Sequence, residues 1–503
     1  MNEDSRLLRM SLAVLVMTFS LSLLWSFLQP LYGSPDETAH VVKAVATARG
    51  QFKGQTTTGD FGFSSESYKV PRAYSQGIQY LGCILGPSHA DASCVGQFGT
   101  GRDLVPVTST AAHYPPLYYL LVGPIGLAFP GRLGMYLMRV VSSFLTAIML
   151  TVSFRTAFRY GGPLRPLGVL IACTPMVFSL SGAVNPHGLE ISSAILYWVS
   201  LLTCLEQFES RSSHRIDLGL FFQLLLSSSF FALVRPAGFV WMSLATALVV
   251  LYFGIRRAIK TVTFNRISLK SLWSVPFALL LSVAFYLWSG VGMGLGGSAA
   301  TEKGSERVID NLWTSFDRAD DYFRYMFGWF GWVEFSAPPA AFFLCVGCLG
   351  LVLAYAAMSG NGREFRITVI ALALTIFAPV LIEGSKAAAS GFRYQGRYTP
   401  ALAVAIPILG FWRRVVGLSA ENERRLVSLA LAGALLPSII CIDFALKRYS
   451  VGENGPRFWF VHPNWLPPGG KWLIGALVIV IGGSFIFLNH FMRQSVLAGQ
   501  FDE

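Results

Sequence analysis

Long apolar runs alternate with short polar and basic stretches along this chain. A helix needs about 20 apolar residues to cross the hydrocarbon core of a bilayer. Runs near that length predict crossings at roughly 7–29, 133–154, 167–183, 188–205, 217–234, 237–255, 272–290, 339–358, 367–384, 399–412, 426–443 and 471–490, about twelve in all, with the N-terminus inside. The run Leu117–Phe129 is short for a span and is interrupted by Pro124. It is predicted as a juxtamembrane or re-entrant helix, tolerated where it packs on protein. The first run follows Arg6 and Arg9. It is long for a signal-peptide core and lacks a clear small-residue cleavage site, so it is read as a retained span. The fold class expected is all-α and multi-pass, a single polytopic membrane domain over 1–503. Outside segments are expected at 30–132, 291–338, 385–398 and 444–470, the first carrying juxtamembrane helices.

Composition agrees with this pattern. Of 503 residues, 53% are hydrophobic and only 13% charged, against about 25% charged in soluble domains. The mean hydropathy is +0.53. An ordinary soluble enzyme and a disordered chain are both excluded. The net charge of +12 does not imply nucleic acid, because the basic residues sit in short loops between apolar runs. Arg155, Arg159 and Arg165, then Arg211 and Arg215, then Arg256, Arg257, Lys260, Arg266 and Lys270, then Arg363 and Arg366, then Arg413, Arg414, Arg424 and Arg425 all fall in loops expected inside, as the positive-inside rule requires. Five of the seven cysteines lie in or beside apolar runs, including Cys345 and Cys348, and are expected to pack there. Cys83 and Cys94 share the long first loop, where a disulfide is expected if the loop faces an oxidising compartment.

Chemistry is concentrated on the face expected outside. Ser34-Pro35-Asp36-Glu37-Thr38-Ala39-His40 follows the first span. Ser34 fits an N-cap, Pro35 the first helical position and Glu37 a capping box, with the helix ending at Gly50. Capping leaves Asp36 and His40 unexplained. They are spaced i, i+4, so they share a helix face, a carboxylate and an imidazole suited to acid–base work. His113-Tyr114-Pro115-Pro116 enters the short apolar run, either as a site or as an interfacial anchor. Asn185-Pro186-His187-Gly188-Leu189-Glu190 is a tight turn carrying a carboxylate that needs a partner at the edge of an apolar run. Arg393-Tyr394-Gln395-Gly396-Arg397-Tyr398 places two arginines against the charge rule. A lipid phosphate is one reason and snorkelling is the other. Arg235 is a weaker candidate of the same kind. Gly328-Trp329 begins an aromatic stretch that fits an acceptor platform or an interfacial belt.

Taken in order, these pieces resemble the GT-C superfamily of membrane glycosyltransferases. The acidic pair opening the first outside loop and Tyr114-Pro115-Pro116-Leu117-Tyr118-Tyr119 carry that resemblance, and Pro35-Asp36-Glu37-x-x-His40, Asn185-Pro186-x-Gly188, Gly328-Trp329 and Gly396-Arg397-Tyr398 look closest to a bacterial multi-pass family of unknown function within that clan. The resemblance runs from about residue 25 to 410. It implies a sugar donor carried on polyprenyl phosphate at the outer face of a bacterial plasma membrane, and inverting transfer to a cell-envelope glycan or lipid. Asp36 is implied as general base, with Glu37 the alternate and His40 beside them. Arg393, Arg397 and Tyr398 are implied at the donor phosphate, and His113, Tyr114, Asn185, His187, Glu190 and Trp329 along the cleft. His187 stands where the resemblance leads one to expect Asp. A metal-assisted mechanism is therefore not expected, and no cofactor is. The competing readings are a lipid or glycan transporter or flippase, a polymerase or ligase of lipid-linked glycans, and a non-catalytic subunit of the same fold.

Overall fold

The computed structural model describes residues 3–58, 64–77, 91–96, 98–210, 217–254, 304–359 and 362–498, with positions 277, 278, 280, 281 and 283. Helices α1 (Glu3–Leu28), α4 (Arg132–Gly161), α7 (Pro186–Ser210), α12 (Pro339–Met358), α13 (Gly362–Ser390), α16 (Ala420–Val451) and α17 (Gly470–Ala498) provide the long apolar segments. Among the described residues, seven helices are long and apolar enough to cross a membrane. Helices α8 (Leu218–Leu233) and α9 (Gly238–Phe253) are apolar but only 16 residues each. The expected span at 272–290 lies largely outside the described residues, and so do Cys83 and its pairing with Cys94.

Two expected crossings are broken instead. Residues 167–183 form α5 (Pro166–Ile171) and α6 (Pro175–Ser181), interrupted ahead of Pro175. Residues 399–412 form α14 (Pro400–Ala403) and α15 (Ala405–Gly410). Proline lacks an N–H and starts helices more readily than it continues them. Their apolar residues are buried, including Leu167, Phe178, Leu402 and Ile408, so burial inside protein, not lipid, explains these runs.

α7 is buried along its whole apolar length and packs on α4 and α8. α1 packs on α4 and α17, and α12 on α16. His187 and Glu206 stand near opposite ends of α7, about 30 Å apart at 1.5 Å per residue, close to the hydrocarbon thickness. At the Glu206 end, Arg165 pairs with Glu206 at 2.8 Å, Arg413 with Glu364 at 3.2 Å and Arg414 with Glu423 at 2.9 Å. Arg165, Arg413 and Arg414 therefore gather at one end, and the candidate chemistry at the other.

The long first loop builds a platform at that second end. Helix α2 (Glu37–Ala48) packs on α3 (Leu117–Ala128). α3 has 12 residues, about 18 Å, too short to cross alone. A Cβ on Gly123 would meet the Ala44 carbonyl oxygen at 2.1 Å, so glycine is what lets these helices touch. Against them lies an antiparallel sheet that the all-helical expectation did not include: β1 (Gln55–Thr58), β2 (Ser64–Pro71) and β3 (Leu104–Ser109), in the order β1-β2-β3. Its register pairs Thr56 with Glu66 and Tyr68 with Val107. Tyr68 and Val70 point inward and Lys69 outward, the period of two that a half-buried strand requires. Later in the chain, α10 (Gly304–Asp317) and α11 (Ala319–Phe327) lead into a short hairpin of β4 (Trp329–Phe330) and β5 (Phe335–Ser336).

Candidate active site

The loop after α1 is held by one buried ion pair. Arg139, on α4, donates from Nε to Glu37 Oε1 at 2.7 Å and from Nη2 to Glu37 Oε2 at 2.5 Å. Its remaining N–H groups reach the carbonyls of Ser26, Gln29 and Pro30 at 2.8–2.9 Å. Glu37 also accepts from the backbone N–H groups of Tyr32 at 3.0 Å and Val184 at 2.9 Å. Both side chains are fully buried. The five guanidinium N–H bonds are thereby all satisfied, and both carboxylate oxygens are occupied twice. This arrangement corrects two expectations. Glu37 is a strut, not a capping-box residue or an open base. The helix starts at Glu37, and its N-cap is Asp36, not Ser34.

Asp36 adopts the left-handed conformation, φ 60° and ψ 4°, and makes no side-chain capping bond. Its carboxylate is directed elsewhere. Arg397 Nη2 donates to Asp36 Oδ2 at 2.6 Å. The two side chains differ in exposure, 36% for Asp36 and 1% for Arg397. Arg397 lies in a single 3-10 turn, Gly396–Tyr398, between α13 and α14. A Cβ on Gly396 would lie 2.0 Å from the Tyr322 carbonyl oxygen, so glycine permits α11 to press on this turn. Asn185 Nδ2 donates to the Pro35 carbonyl at 3.0 Å, and its Oδ1 accepts from the His187 backbone N–H at 3.0 Å. Asn185 thus ties the turn before α7 to the residue preceding Asp36.

Other groups converge on this pair. His40 stands one turn along α2, with its Nδ1 2.8 Å from the Tyr119 hydroxyl and its ring edge-on to Tyr114. Burial, reinforced by Arg235 and Arg397 and opposed by Asp36, pushes the His40 imidazole down to about 3, so it is neutral at ordinary pH. Arg235, between α8 and α9, donates to Glu190 at 2.6 Å. Its guanidinium and that of Arg397 lie 5.3 and 5.4 Å from the Tyr398 ring centroid, within cation–π range. His187 stacks on the same ring at 5.4 Å, with its Nδ1 4.0 Å from Glu190.

Several buried polar atoms here have no hydrogen-bond partner among the described residues: His40 Nε2, both ring nitrogens of His187, Glu190 Oε1, Arg235 Nε, and Arg397 Nε and Nη1. An unmade buried hydrogen bond costs about 1–3 kcal/mol, more at a charge. Glu190 Oε1 is an acceptor, but the arginine nitrogens are N–H donors, and unpartnered donors on two buried cations suit an anionic ligand.

The structure therefore brings Asp36, His40, Tyr114, Asn185, His187, Glu190, Arg397 and Tyr398 together. It adds Arg235, Tyr119 and Tyr325, the last lying within electrostatic range of Arg397 and Asp36. Arg393 is exposed, unlike Arg397, and Arg235 is the second buried cation in its place. His113 sits apart, within the field of Lys43 and Glu66. Trp329 stacks on Tyr325 at 5.4 Å and stands behind it. Tyr119 gave no separate signal in sequence because it reads as one of several interfacial aromatics. Arg235 was marked only by being a charge between two apolar runs.

Residues 19–406 match the family described as predicted membrane protein DUF2142. The chain belongs to that family. The match covers every residue of the Asp36 cluster. Among curated proteins no sequence matches. Two crystal structures of ArnT from Cupriavidus metallidurans are similar in fold. The one bound to undecaprenyl phosphate has a TM-score of 0.44 at 12% identity, covering 99% of this chain and 78% of that one. The apo structure has a TM-score of 0.43 at 13% identity, covering 97% and 75%.

Proposed function

We propose that this DUF2142 protein is a membrane glycosyltransferase that uses a polyprenyl-phosphate-linked sugar and works at the outer face of the bacterial plasma membrane. The observation that carries this reading is the half-exposed Asp36 carboxylate on the buried Arg397 guanidinium, 2.6 Å away, with further N–H groups of Arg397 and Arg235 unpartnered among the described residues. A reaction that releases a lipid phosphate needs a proton acceptor beside fixed cations, and this pair supplies both.

In the proposed reaction an acceptor hydroxyl gives its proton to the Asp36 carboxylate as its oxygen bonds to the anomeric carbon. The bond from that carbon to the phosphate oxygen breaks, and its electron pair leaves with the lipid phosphate. Attack opposite the leaving group inverts the anomeric centre. Arg397 and Arg235 stabilise the charge that grows on the leaving phosphate, and a ring N–H of His40 and of His187 can donate to its oxygens. Tyr114, Tyr325 and Tyr398 would flank the sugar, which aromatic faces suit. The outer-face assignment rests on the arginine-rich clusters at the Glu206 end of α7, which belong inside by charge bias. A cell-envelope glycan or lipid is the acceptor class this orientation implies.

The test is incubation of the lipid-embedded protein with a panel of polyprenyl-phosphate sugars and envelope acceptors. Release of polyprenyl phosphate with a product of inverted anomeric configuration is expected. Binding of lipid phosphate without transfer from any donor in the panel would favour a non-catalytic subunit. Absence of both binding and transfer would remove the assignment.

A further inference from the structure

Three features of the Asp36–Arg397 pair go beyond assigning a base and a cation. First, the partners are unequally anchored. Arg397 is 1% exposed and Asp36 36%, and Asp36 makes no capping bond that would hold its side chain. Asp36 can rotate into solvent, whereas Arg397 cannot. Second, the carboxylate uses only Arg397 Nη2, while Nε and Nη1 are buried without partners among the described residues. A phosphate, with several oxygens on one centre, suits the guanidinium fork better than this single contact. Third, the neighbouring pair has the opposite character. Glu190 is buried as deeply as its partner Arg235, so that carboxylate has no route to water.

The geometry points to an exchange at Arg397. The Asp36 carboxylate occupies the guanidinium until a lipid-linked phosphate displaces it, and the base is released only when the donor is bound. This inference rests on the donor class proposed above. The exchange replaces one anion with another, so the buried guanidinium is never left unpaired, the state that costs most. It also sets an order. While Arg397 holds Asp36 Oδ2 at 2.6 Å, the carboxylate is tied to the guanidinium and is not free to turn toward an acceptor hydroxyl. Donor therefore binds first, and the acceptor meets an active base second. Arg235 stays paired with Glu190 through Nη1 throughout, so it offers its remaining N–H groups to the phosphate as a fixed cation and does not switch.

The test measures binding of farnesyl phosphate to the full chain in lipid nanodiscs, with farnesol and inorganic phosphate as separate arms. In Asp36→Asn the competing anion is gone, and farnesyl phosphate is expected to bind about tenfold tighter than to wild type. With Arg397→Gln, adding Asp36→Asn is expected to give no such gain. Arg397→Met, which removes the charge but keeps an apolar stem, is read in the same way should Arg397→Gln not fold. An unchanged affinity in Asp36→Asn overturns the exchange. So does an equal gain with and without Arg397, which would be general relief of repulsion. If wild type and Asp36→Asn both bind farnesyl phosphate no better than farnesol, the lipid-phosphate reading itself fails. Binding of inorganic phosphate alone, equal to that of farnesyl phosphate, would assign the site to a free anion and overturn the lipid donor.

Discussion

Glu37 and Arg139, 102 residues apart in sequence, form a doubly hydrogen-bonded ion pair with no solvent exposure. The carboxylate next to it, Asp36, points the other way, onto Arg397. Two adjacent acids thus have different environments, and the difference assigns their parts. Glu37 fixes the chain between α1, α4 and the turn before α7. Asp36, carried on that fixed point in a left-handed backbone conformation, faces the cluster where an anion fits.

Breaking the buried pair is expected to be costly. Glu37→Gln or Arg139→Met leaves one charge or its donors unmatched in the interior, at about 3–5 kcal/mol. The double substitution Glu37→Leu with Arg139→Met is expected to be less damaging than either single change. Thermal unfolding of the purified variants in detergent checks this. A double variant as unstable as the sum of the singles would show that the two residues act independently.

How far this was legible from sequence differs by feature. The long helices and the helical character of the short Leu117–Ala128 segment follow from apolar length and composition. The broken runs at 167–183 and 399–412 do not, because a buried interior segment and a lipid-facing span are equally apolar. Asp36 and Arg397 were both marked by motif and by charge in the wrong place. Their contact was not, since 361 residues separate them. Glu37 reads locally as a capping-box acid. Only the arrival of Arg139 from another helix decides otherwise, and a lone arginine near the start of an apolar run gives no hint of its partner.

Arg235 is expected to matter for anion binding although Arg393 was the more obvious choice. Arg235→Lys replaces a planar fork stacked near Tyr398 with a point charge. Affinity for a prenyl phosphate is expected to fall about tenfold to a hundredfold, the range of one charged hydrogen bond. Arg393→Ala, at an exposed position, is expected to change it less than threefold, within about 0.5 kcal/mol. Equilibrium binding to both variants decides between the two arginines.

His40 gives the site a signature in pH. Burial pushes its imidazole down to about 3 from an ordinary value of 6.5. Between those values the unfolded chain binds a proton that the folded one does not, so stability rises with pH through that window and is lost as pH falls below about 6.5. The slope from this one group approaches about 1.4 kcal/mol per pH unit at most. His40→Gln is expected to have a shallower loss of melting temperature between pH 6.5 and 4 than wild type. An identical slope in the variant would mean that other groups carry the acid sensitivity.

The close approach of α2 and α3 is expected to be sensitive to a single methyl group. Gly123→Ala places its Cβ against the Ala44 carbonyl and is expected to cost about 1–3 kcal/mol through overpacking. Because α2 carries both Asp36 and His40 at its start, loss of activity is expected to accompany any shift. Melting temperature and donor turnover measured together on this variant check the coupling.

The central claim is that Asp36 accepts the acceptor's proton. Its most direct test is the rate of polyprenyl-phosphate release by wild type and Asp36→Asn, each saturated with the same lipid-linked sugar and acceptor. A loss of about a hundredfold to ten-thousandfold in turnover is expected, with donor binding tightened. Equal turnover in Asp36→Asn would contradict the claim and place the base elsewhere.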